Sequence, residues 1–389
     1  MKFVVLDIFE CAADACPDDC CHGWRIDVDE RTRIAWQDLP QTPLTGKIHG
    51  ALLGEAGEFH LQRRDDGRCT FLVDGLCEIQ KNLGHGLIPQ TCRDYPRVAV
   101  GRASAPIASA YLSCPEIVRL LLELPDEAEL FVATESGEIG EGRPSRFDSR
   151  YIEKLFDRLI NDLLRHPRST VGDVLYHCAV ILSGLLVRTS FERTVRQLEE
   201  LQDNSEEQTR LIASTRKAFR KRQLNTGREQ AGRFWHVVMS LCRVCHEPDW
   251  QDAVTRAGLA PVADAPGDPR QIDSHVRQLW RKTGELPPFV QSSMKRYLKV
   301  KLVNHGFPLA VHQNELIQTF LECGIATMQI LYLTRLRALD GTVTQADMET
   351  IIYKVERAMV HNDKIEDVLN RNPELESLDS YAALFLQER

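Results

Sequence analysis

Apolar residues recur every three or four positions through the second part of the chain, which is the spacing of an amphipathic helix. The pattern is clear between 152 and 164, and it predicts further helices at 171–201, 209–224, 234–245, 270–282, 288–304, 313–339, 345–360 and 376–387. Thr170 is expected to cap the helix that follows it, and Thr344 with Asp347 resembles a capping box. Residues 145–389 are therefore expected to be helical almost throughout.

The first 125 residues show little of this periodicity. A helix could cover Ile26 to Trp36, and Pro115 is expected to open another helix that runs from Glu116 to Leu124. Gly, Pro, Asp and His are frequent between these patches, and strand signals are weak throughout the chain. We therefore expect an irregular region whose order depends on a bound metal.

The predicted fold class is mainly α, in three parts. A cysteine-rich region that binds a metal or an iron–sulfur cluster is expected at 1–125, and a connector rich in Gly and Glu at 126–144. A helical domain that binds a protein substrate is expected at 145–389. In this arrangement the irregular N-terminal region packs on the multi-helix C-terminal region.

Charge and hydropathy narrow the class of protein. The net charge of −8 gives no case for nucleic-acid binding. Asp7 interrupts the N-terminal apolar run, so no secretory signal is expected, and the longest apolar run, Cys178 to Val187, is shorter than the roughly 20 residues that span a bilayer. We expect a cytoplasmic protein with reduced thiols.

The basic run 216–222 could contact an anionic membrane surface or an acidic partner, or it could form only a solvated face. The sequence does not indicate the oligomeric state.

Eight of the twelve cysteines fall in the first region: Cys11, Cys16, Cys20, Cys21, Cys69, Cys77, Cys92 and Cys114. In a reducing compartment, clustered cysteines favour metal ligands over disulfides. Thiolates are the soft ligands of zinc and of iron–sulfur clusters, and the ligand type does not separate these two. The first four could wrap one centre and the last four a second, or the two groups could mix.

The cysteines lie in an ordered set of motifs: Cys11-x4-Cys16-x3-Cys20-Cys21-x2-Trp24, Cys69-Thr-Phe-Leu, Gly75-Leu-Cys77-Glu-Ile-Gln, Leu87-Ile-Pro-Gln-Thr-Cys92-Arg-Asp-Tyr-Pro-Arg97 and Ser113-Cys114-Pro-Glu. This set resembles the flagellin lysine-N-methylase family, a branch of the broader cysteine-rich zinc- or iron-chelating families. The resemblance extends to Gly-Phe-Pro at 306–308 and to Arg357–His361. It implies transfer of a methyl group from S-adenosylmethionine to lysine amines of flagellin, with a 4Fe–4S cluster, or alternatively zinc, on the cysteines.

The resemblance also points to residues that could bind the cofactor. The faces of Trp24 and Tyr95 could accept a cationic sulfonium, although Trp24 could equally be packed under the metal loop. Arg93 and Arg97 could bind a carboxylate, or could donate hydrogen bonds to a cluster or to Asp94. No catalytic residue is identified.

Two familiar signatures of methyltransferases are missing from the sequence. No strand–Gly-x-Gly-x-Gly–helix element is visible, and Cys16-x3-Cys20 is not followed by a cysteine at position 23, as the common radical S-adenosylmethionine spacing would require. A cluster with an open iron that chelates the cofactor is one hypothesis. The alternatives are a non-catalytic interaction protein stapled by zinc, and an iron–sulfur redox protein.

Overall fold

Short strands and short helices alternate through the first 133 residues. The computed structural model describes residues 1–55, 57–101, 106–133, 157, 160–166, 169–186, 206, 210, 229, 231–242, 268–307 and 313–360. The strands are β1 Lys2–Phe3, β2 Asp27–Val28, β3 Leu52–Glu55, β4 Glu58–Leu61, β5 Leu72–Val73, β6 Leu76–Cys77, β7 Arg97–Val100, β8 Ile107–Ala110 and β9 Phe131–Val132. The prediction of an irregular region was wrong, because strands of two to four residues are too short to show an alternating pattern in the sequence.

Helices make up most of the described chain, which confirms the mainly α prediction. Those of the first region are α1 Glu30–Gln37, α2 Pro43–Ala51, α3 Glu78–Leu83, α4 Gln90–Asp94 and α5 Pro115–Glu123. Those that follow are α6 Val171–Leu186, α7 Pro269–Thr283, α8 Pro288–Asn304, α9 Gln313–Ala338 and α10 Gln345–Val360. The helix expected from Ile26 begins only at Glu30, because Asp29 accepts a hydrogen bond from the Thr32 amide at 3.0 Å and caps it, while Asp27 and Val28 form β2.

Two predicted caps are present. The Thr170 hydroxyl accepts from the Asp173 amide at 3.2 Å, and the Asp173 carboxylate accepts from the Thr170 amide at 3.0 Å. Thr344 and Asp347 form the same reciprocal pair at the start of α10, with distances of 3.2 and 2.8 Å. Each pair satisfies amides that the first helical turn leaves without partners.

Three small sheets organise the first region. The four-stranded sheet has the order β7-β8-β1-β9, with β1 parallel to β8 and antiparallel to β9. A three-stranded sheet has the order β2-β4-β3, and β5 pairs with β6 alone. Strand β9 lies inside the stretch predicted as a connector, whose residues from 134 onwards are outside the described part of the chain.

The buried apolar residues form two separate cores. The larger core joins the four-stranded sheet to the helices and contains Phe3 and Phe131, whose ring centroids are 5.4 Å apart. The smaller core lies within the first region and consists of Ile26, Val28, Trp36, Ile48, Ala51, Leu61, Cys69, Phe71, Ile79 and Ile88. Cys21, Cys77 and Cys92 pack against it. The smaller core therefore carries a set of thiols that come from distant parts of the sequence.

A buried ion pair joins α8 to α10. Lys301 is 1% exposed and its Nζ lies 2.8 Å from Glu356 Oε1, while the Tyr297 hydroxyl donates to the same carboxylate at 2.6 Å. Burial and the adjacent carboxylate raise the pKa of Tyr297. The three side chains link α10 to α8, and removing any one of them would leave a buried polar group without this partner.

Among the helices described, none combines the length and the apolar character that crossing a membrane would require. The basic run 216–222 lies outside the described residues, and so does the helix predicted at 376–387.

Candidate metal centre

The loop that carries Cys20 and Cys21 is held against the residues before β5. The Cys69 amide donates to the Cys21 carbonyl at 2.7 Å, and the Gly23 amide donates to the Gly67 carbonyl at 3.3 Å. Gly23 and Gly67 have φ values of 87° and 79°, so both turns use a backbone conformation that favours glycine. These contacts place Cys21 beside Cys69, although 47 residues separate them in the sequence.

Short helices begin at or near three further cysteines. Cys77 ends β6 and is the N-terminal cap residue of α3, and Cys114 is the cap residue of α5, whose first residue is Pro115. Cys92 lies inside α4, where its amide donates to the Pro89 carbonyl at 2.9 Å. Helix N-termini present free amides to these thiols, and such amides stabilise a thiolate.

Backbone amides donate to four of the sulfur atoms. Donors stand two or three residues after each thiol: the Asp18 amide for Cys16, Phe71 for Cys69, Ile79 and Gln80 for Cys77, and Glu116 and Ile117 for Cys114. Hydrogen bonds of this kind lower a thiol pKa and, in metal sites, tune a bound thiolate.

Four thiols form an inner group: Cys21, Cys69, Cys77 and Cys92. Burial raises the pKa of Cys69 to about 11 and also raises the pKa values of Cys77 and Cys92, while the pKa of Cys21 is raised first by its hydrogen bond with Cys20 and then by burial. The charges of neighbouring thiolates raise these values further, because Cys21 and Cys92 each feel both Cys69 and Cys77. The inner thiols therefore resist simultaneous ionisation unless a cation lies among them.

An outer group is formed by Cys11, Cys16 and Cys114. Burial raises the pKa of Cys114 to about 12, and its thiol interacts with Cys16, which in turn interacts with Cys11. Cys20 stands between the groups, since it interacts with the outer Cys16 and Cys114 and with the inner Cys77 and Cys92. The hydrogen bond from Cys21 lowers the pKa of Cys20 to about 7.

The grouping in space differs from the grouping along the sequence. The first four cysteines do not form one set and the last four another, because Cys21 joins Cys69, Cys77 and Cys92. Within the described ranges, no three Cys, His, Asp or Glu side chains stand in the arrangement of a single-ion site. The donor set itself fits a thiolate-bound metal or cluster, because several thiols share one electrostatic environment and hold hydrogen-bond donors for the ionised form.

An aromatic wall borders Cys20, and we define it as Trp24, Tyr95 and Tyr111. Trp24 Nε1 donates to the Cys20 carbonyl at 2.8 Å, and its ring centroid lies 5.8 Å from that of Tyr95. The Tyr95 ring stacks on Tyr111 at 6.2 Å, and its hydroxyl lies 3.1 Å from Ser113 Oγ. Burial, followed by the charge of Cys114, raises the pKa of Tyr95. Tyr111 is 37% exposed at the outer end of the wall.

Arg93 and Arg97, the two arginines that the sequence suggested for cofactor binding, lie in different environments. The Arg93 guanidinium donates to the Gly86 carbonyl at 3.2 Å and to Gln90 Oε1 at 2.7 Å, and it lies 3.7 Å from Asp29 Oδ2. Arg93 thus joins α4 to the cap of α1. Arg97 lies at the edge strand β7, with its guanidinium 5.1 Å from the centroid of Phe9. A role for either arginine in cofactor binding stays a prediction.

Sequence reasoning missed two residues at this site. Tyr111 carried no motif signal, although its position three residues before Cys114 places it beside the thiols. Arg357 was noted only as part of a late helix, and the structure places its Nη1 2.6 Å from Asp18 Oδ1, with Nη2 donating to the Asp19 carbonyl. No local signal could have found this contact, because Arg357 and Asp19 are 338 positions apart in the sequence.

The fold and the site together define a mainly helical protein with a cysteine-lined site in its N-terminal region. The chain is 30% identical over 175 residues to the proteins named Lysine-N-methylase from Salmonella typhimurium and Salmonella choleraesuis, and the match covers 43% of this chain and 43% of each relative. It is 30% identical over 129 residues to the Flagellar biosynthetic protein FliU of Salmonella muenchen, covering 31% of this chain and 76% of that protein.

The chain therefore belongs to the flagellin lysine-N-methylase family, as its motifs indicated. The chain spans less than half the length of the two lysine-N-methylases that it matches. No family profile and no solved structure matches the chain.

Proposed function

We propose that the protein is a lysine N-methyltransferase that modifies flagellin, takes the methyl group from S-adenosylmethionine and carries an iron–sulfur cluster on its N-terminal thiols. One observation carries the proposal: cysteines from distant parts of the first region share one electrostatic environment, which an aromatic wall borders at Cys20, in a chain related to proteins named Lysine-N-methylase. Flagellin as the substrate is supported by the relative named Flagellar biosynthetic protein FliU.

We assign the cluster to the inner thiols. Cys69 lies in the smaller core and the other three pack against it, and the charges of Cys69 and Cys77 act on both Cys21 and Cys92. A cubane cluster needs four ligands at most, so four thiolates suffice. When bound, the cluster would supply an iron centre that could hold or reduce the cofactor.

The chain itself provides what a methyl transfer to lysine requires. Trp24 and Tyr95 present ring faces that would attract a sulfonium cation, since a cation is stabilised over an aromatic face. A lysine amine attacks only when it is neutral, and the partly buried wall would favour the neutral form by excluding water. The amides at Cys69, Cys77 and Cys114 would help to stabilise the thiolates once a metal is bound, although burial raises the pKa values of the free thiols.

The proposal is tested on anaerobically purified protein. We expect about four irons and four sulfides per chain, as one cubane requires, and methyl incorporation into flagellin lysines from labelled S-adenosylmethionine, read by mass spectrometry. Stoichiometric zinc without iron would refute the cluster and favour a zinc-stapled interaction protein. A full cluster with no methylation of flagellin would refute the transferase and leave a redox protein.

The aromatic wall makes a separate prediction about the cofactor. Replacing Trp24 with leucine should weaken binding of S-adenosylmethionine by roughly 2- to 30-fold, which corresponds to a cation–π contribution of about 0.5–2 kcal/mol. Binding of the uncharged S-adenosylhomocysteine should change much less. Calorimetry measures both affinities, and Tyr95→Phe, which keeps the ring face, is the matched control. Equal losses for both ligands in Trp24→Leu would show that the wall does not recognise the sulfonium charge.

A further inference from the structure

The segment Cys16–Cys21, which we call the cysteine loop, lies against a helix from the far end of the described chain. Arg357 of α10 pairs with Asp18 at 2.6 Å and also donates to the Asp19 carbonyl, so one guanidinium binds two consecutive residues of the loop. The Arg357 side chain is 15% exposed and that of Asp18 26% exposed. Because the guanidinium is planar and binds a carboxylate and a carbonyl together, it fixes the orientation of the loop as well as its distance from α10.

The helix that carries Arg357 is itself held firmly. Its neighbour Glu356 is the buried carboxylate bound by Lys301 and Tyr297. One turn earlier, Tyr353 is 5% exposed and interacts with the charges of Asp18 and Cys16. Helix α10 also packs on α5, whose N-terminal cap residue is Cys114. The cysteine loop is therefore held by a firmly packed helix that lies far from it in the sequence.

We propose that Arg357 is a positioning residue that holds the cysteine loop in place, so that the thiol site is completed across the N-terminal region and the helical region. Holding Asp18 and Asp19 fixes the direction in which Cys16 and Cys20 leave the loop. Cys20 bridges the outer and inner thiols, so this contact keeps the two groups together. Retention of metal is then controlled by α10, which is far from the cysteine motifs in sequence. This consequence for metal rests on the proposed function.

Arg296 provides a matched control for the possibility that Arg357 only stabilises the fold. Arg296 of α8 binds the Leu122 carbonyl at 2.8 Å and Asp126 Oδ1 at 2.5 Å, and its side chain is 11% exposed. It makes the same combination of a carbonyl and an aspartate contact between the same two parts of the chain. The charge of Glu127 also acts on Arg296. None of these described interactions of Arg296 involves the cysteine loop.

The test measures the reactivity of each cysteine in the full-length protein as purified. Wild type, Arg357→Ala, Arg357→Lys and Arg296→Ala are treated with N-ethylmaleimide, and labelling rates are mapped by mass spectrometry together with the iron content. In Arg357→Ala we expect labelling of the partly buried Cys16 to rise about ten-fold, the factor that corresponds to ~1.4 kcal/mol of local opening, and labelling of the already exposed Cys20 to rise less. Arg357→Lys, which keeps the charge but not the fork, should recover part of the protection.

The labelling results distinguish a positioning role of Arg357 from a general loss of stability. Unchanged labelling of Cys16 and Cys20 in Arg357→Ala would overturn the inference, and so would an equal rise in Arg296→Ala. The buried Cys178 and Cys323 report on the fold, and they should stay protected in every variant. If wild type contains no iron but the change in labelling persists, the metal proposal fails while the positioning role of Arg357 stands.

Discussion

Replacing Cys92 with serine should remove most of the bound metal and unfold much of the first 133 residues. A serine hydroxyl is a hard and weak ligand for iron or zinc, so an inner site would lose one of its four thiolates. In small metal-dependent domains the binding free energy, about 10–16 kcal/mol for structural zinc, is also folding free energy. Only ten described residues form the smaller core, which leaves little apolar burial to replace it.

The same substitution at other cysteines should have graded effects. Cys69→Ser and Cys77→Ser should match Cys92→Ser, because all three belong to the inner group. Cys11→Ser should lose the least metal, because Cys11 is exposed and its described thiol contact is with Cys16. Cys178→Ala is the control, since burial in α6 raises the pKa of that thiol to about 12 and leaves it unreactive.

Iron per chain, far-ultraviolet circular dichroism and limited proteolysis measure these effects together. The expected pattern is metal loss with new cleavage sites before residue 133 in the inner variants, and neither change in Cys178→Ala. The opposite pattern would refute the assignment to the inner thiols. In that pattern, serine substitution of Cys11, Cys16, Cys20 or Cys21 abolishes metal binding, whereas Cys92→Ser retains the metal. The first four cysteines would then form one metal site.

Replacing Lys301 with methionine should lower the free energy of unfolding of the helical region by about 3–5 kcal/mol, the usual cost of removing one partner of a buried pair. Glu356, 5% exposed on its side chain, would then remain buried, and the Tyr297 hydroxyl would be its remaining partner among the described residues. Urea titration followed by circular dichroism measures the loss.

A matched variant removes the whole buried network. Lys301→Met, Glu356→Leu and Tyr297→Phe together replace three polar groups with apolar groups of similar size, and such replacements are often neutral or stabilising. We expect the triple variant to regain most of the stability that Lys301→Met alone loses. If the triple variant is less stable than Lys301→Met, the network contributes more than the pairing of two charges, and its hydrogen bonds are coupled.

Long helices were predictable from the sequence. The observed bounds of α8 and α10 coincide with the predicted 288–304 and 345–360. Their apolar spacing runs over four or more turns, and Pro288 and the Thr344–Asp347 box mark where they begin. The family resemblance was equally accessible, because it rests on an ordered set of cysteine motifs that is readable along the chain.

The short elements and the pairing of the thiols were not predictable in this way. Strands such as Asp27–Val28 exist because a partner strand supplies hydrogen bonds across the sheet, and two residues carry no periodic signal. The cysteine motifs named the eight thiols but not their neighbours, because Cys21 meets Cys69 only after the turns at Gly23 and Gly67 fold.

The sequence by itself thus determined the long helices, the set of thiols and the family. Only the tertiary structure decided which thiols share one environment, that Tyr111 extends the aromatic wall, and that Arg357 holds the cysteine loop. The physical reason is the range of the interactions. Periodicity, caps and motifs act within a few residues, whereas a guanidinium that reaches Asp19 from position 357 depends on how α10 packs against α5, α8 and α9.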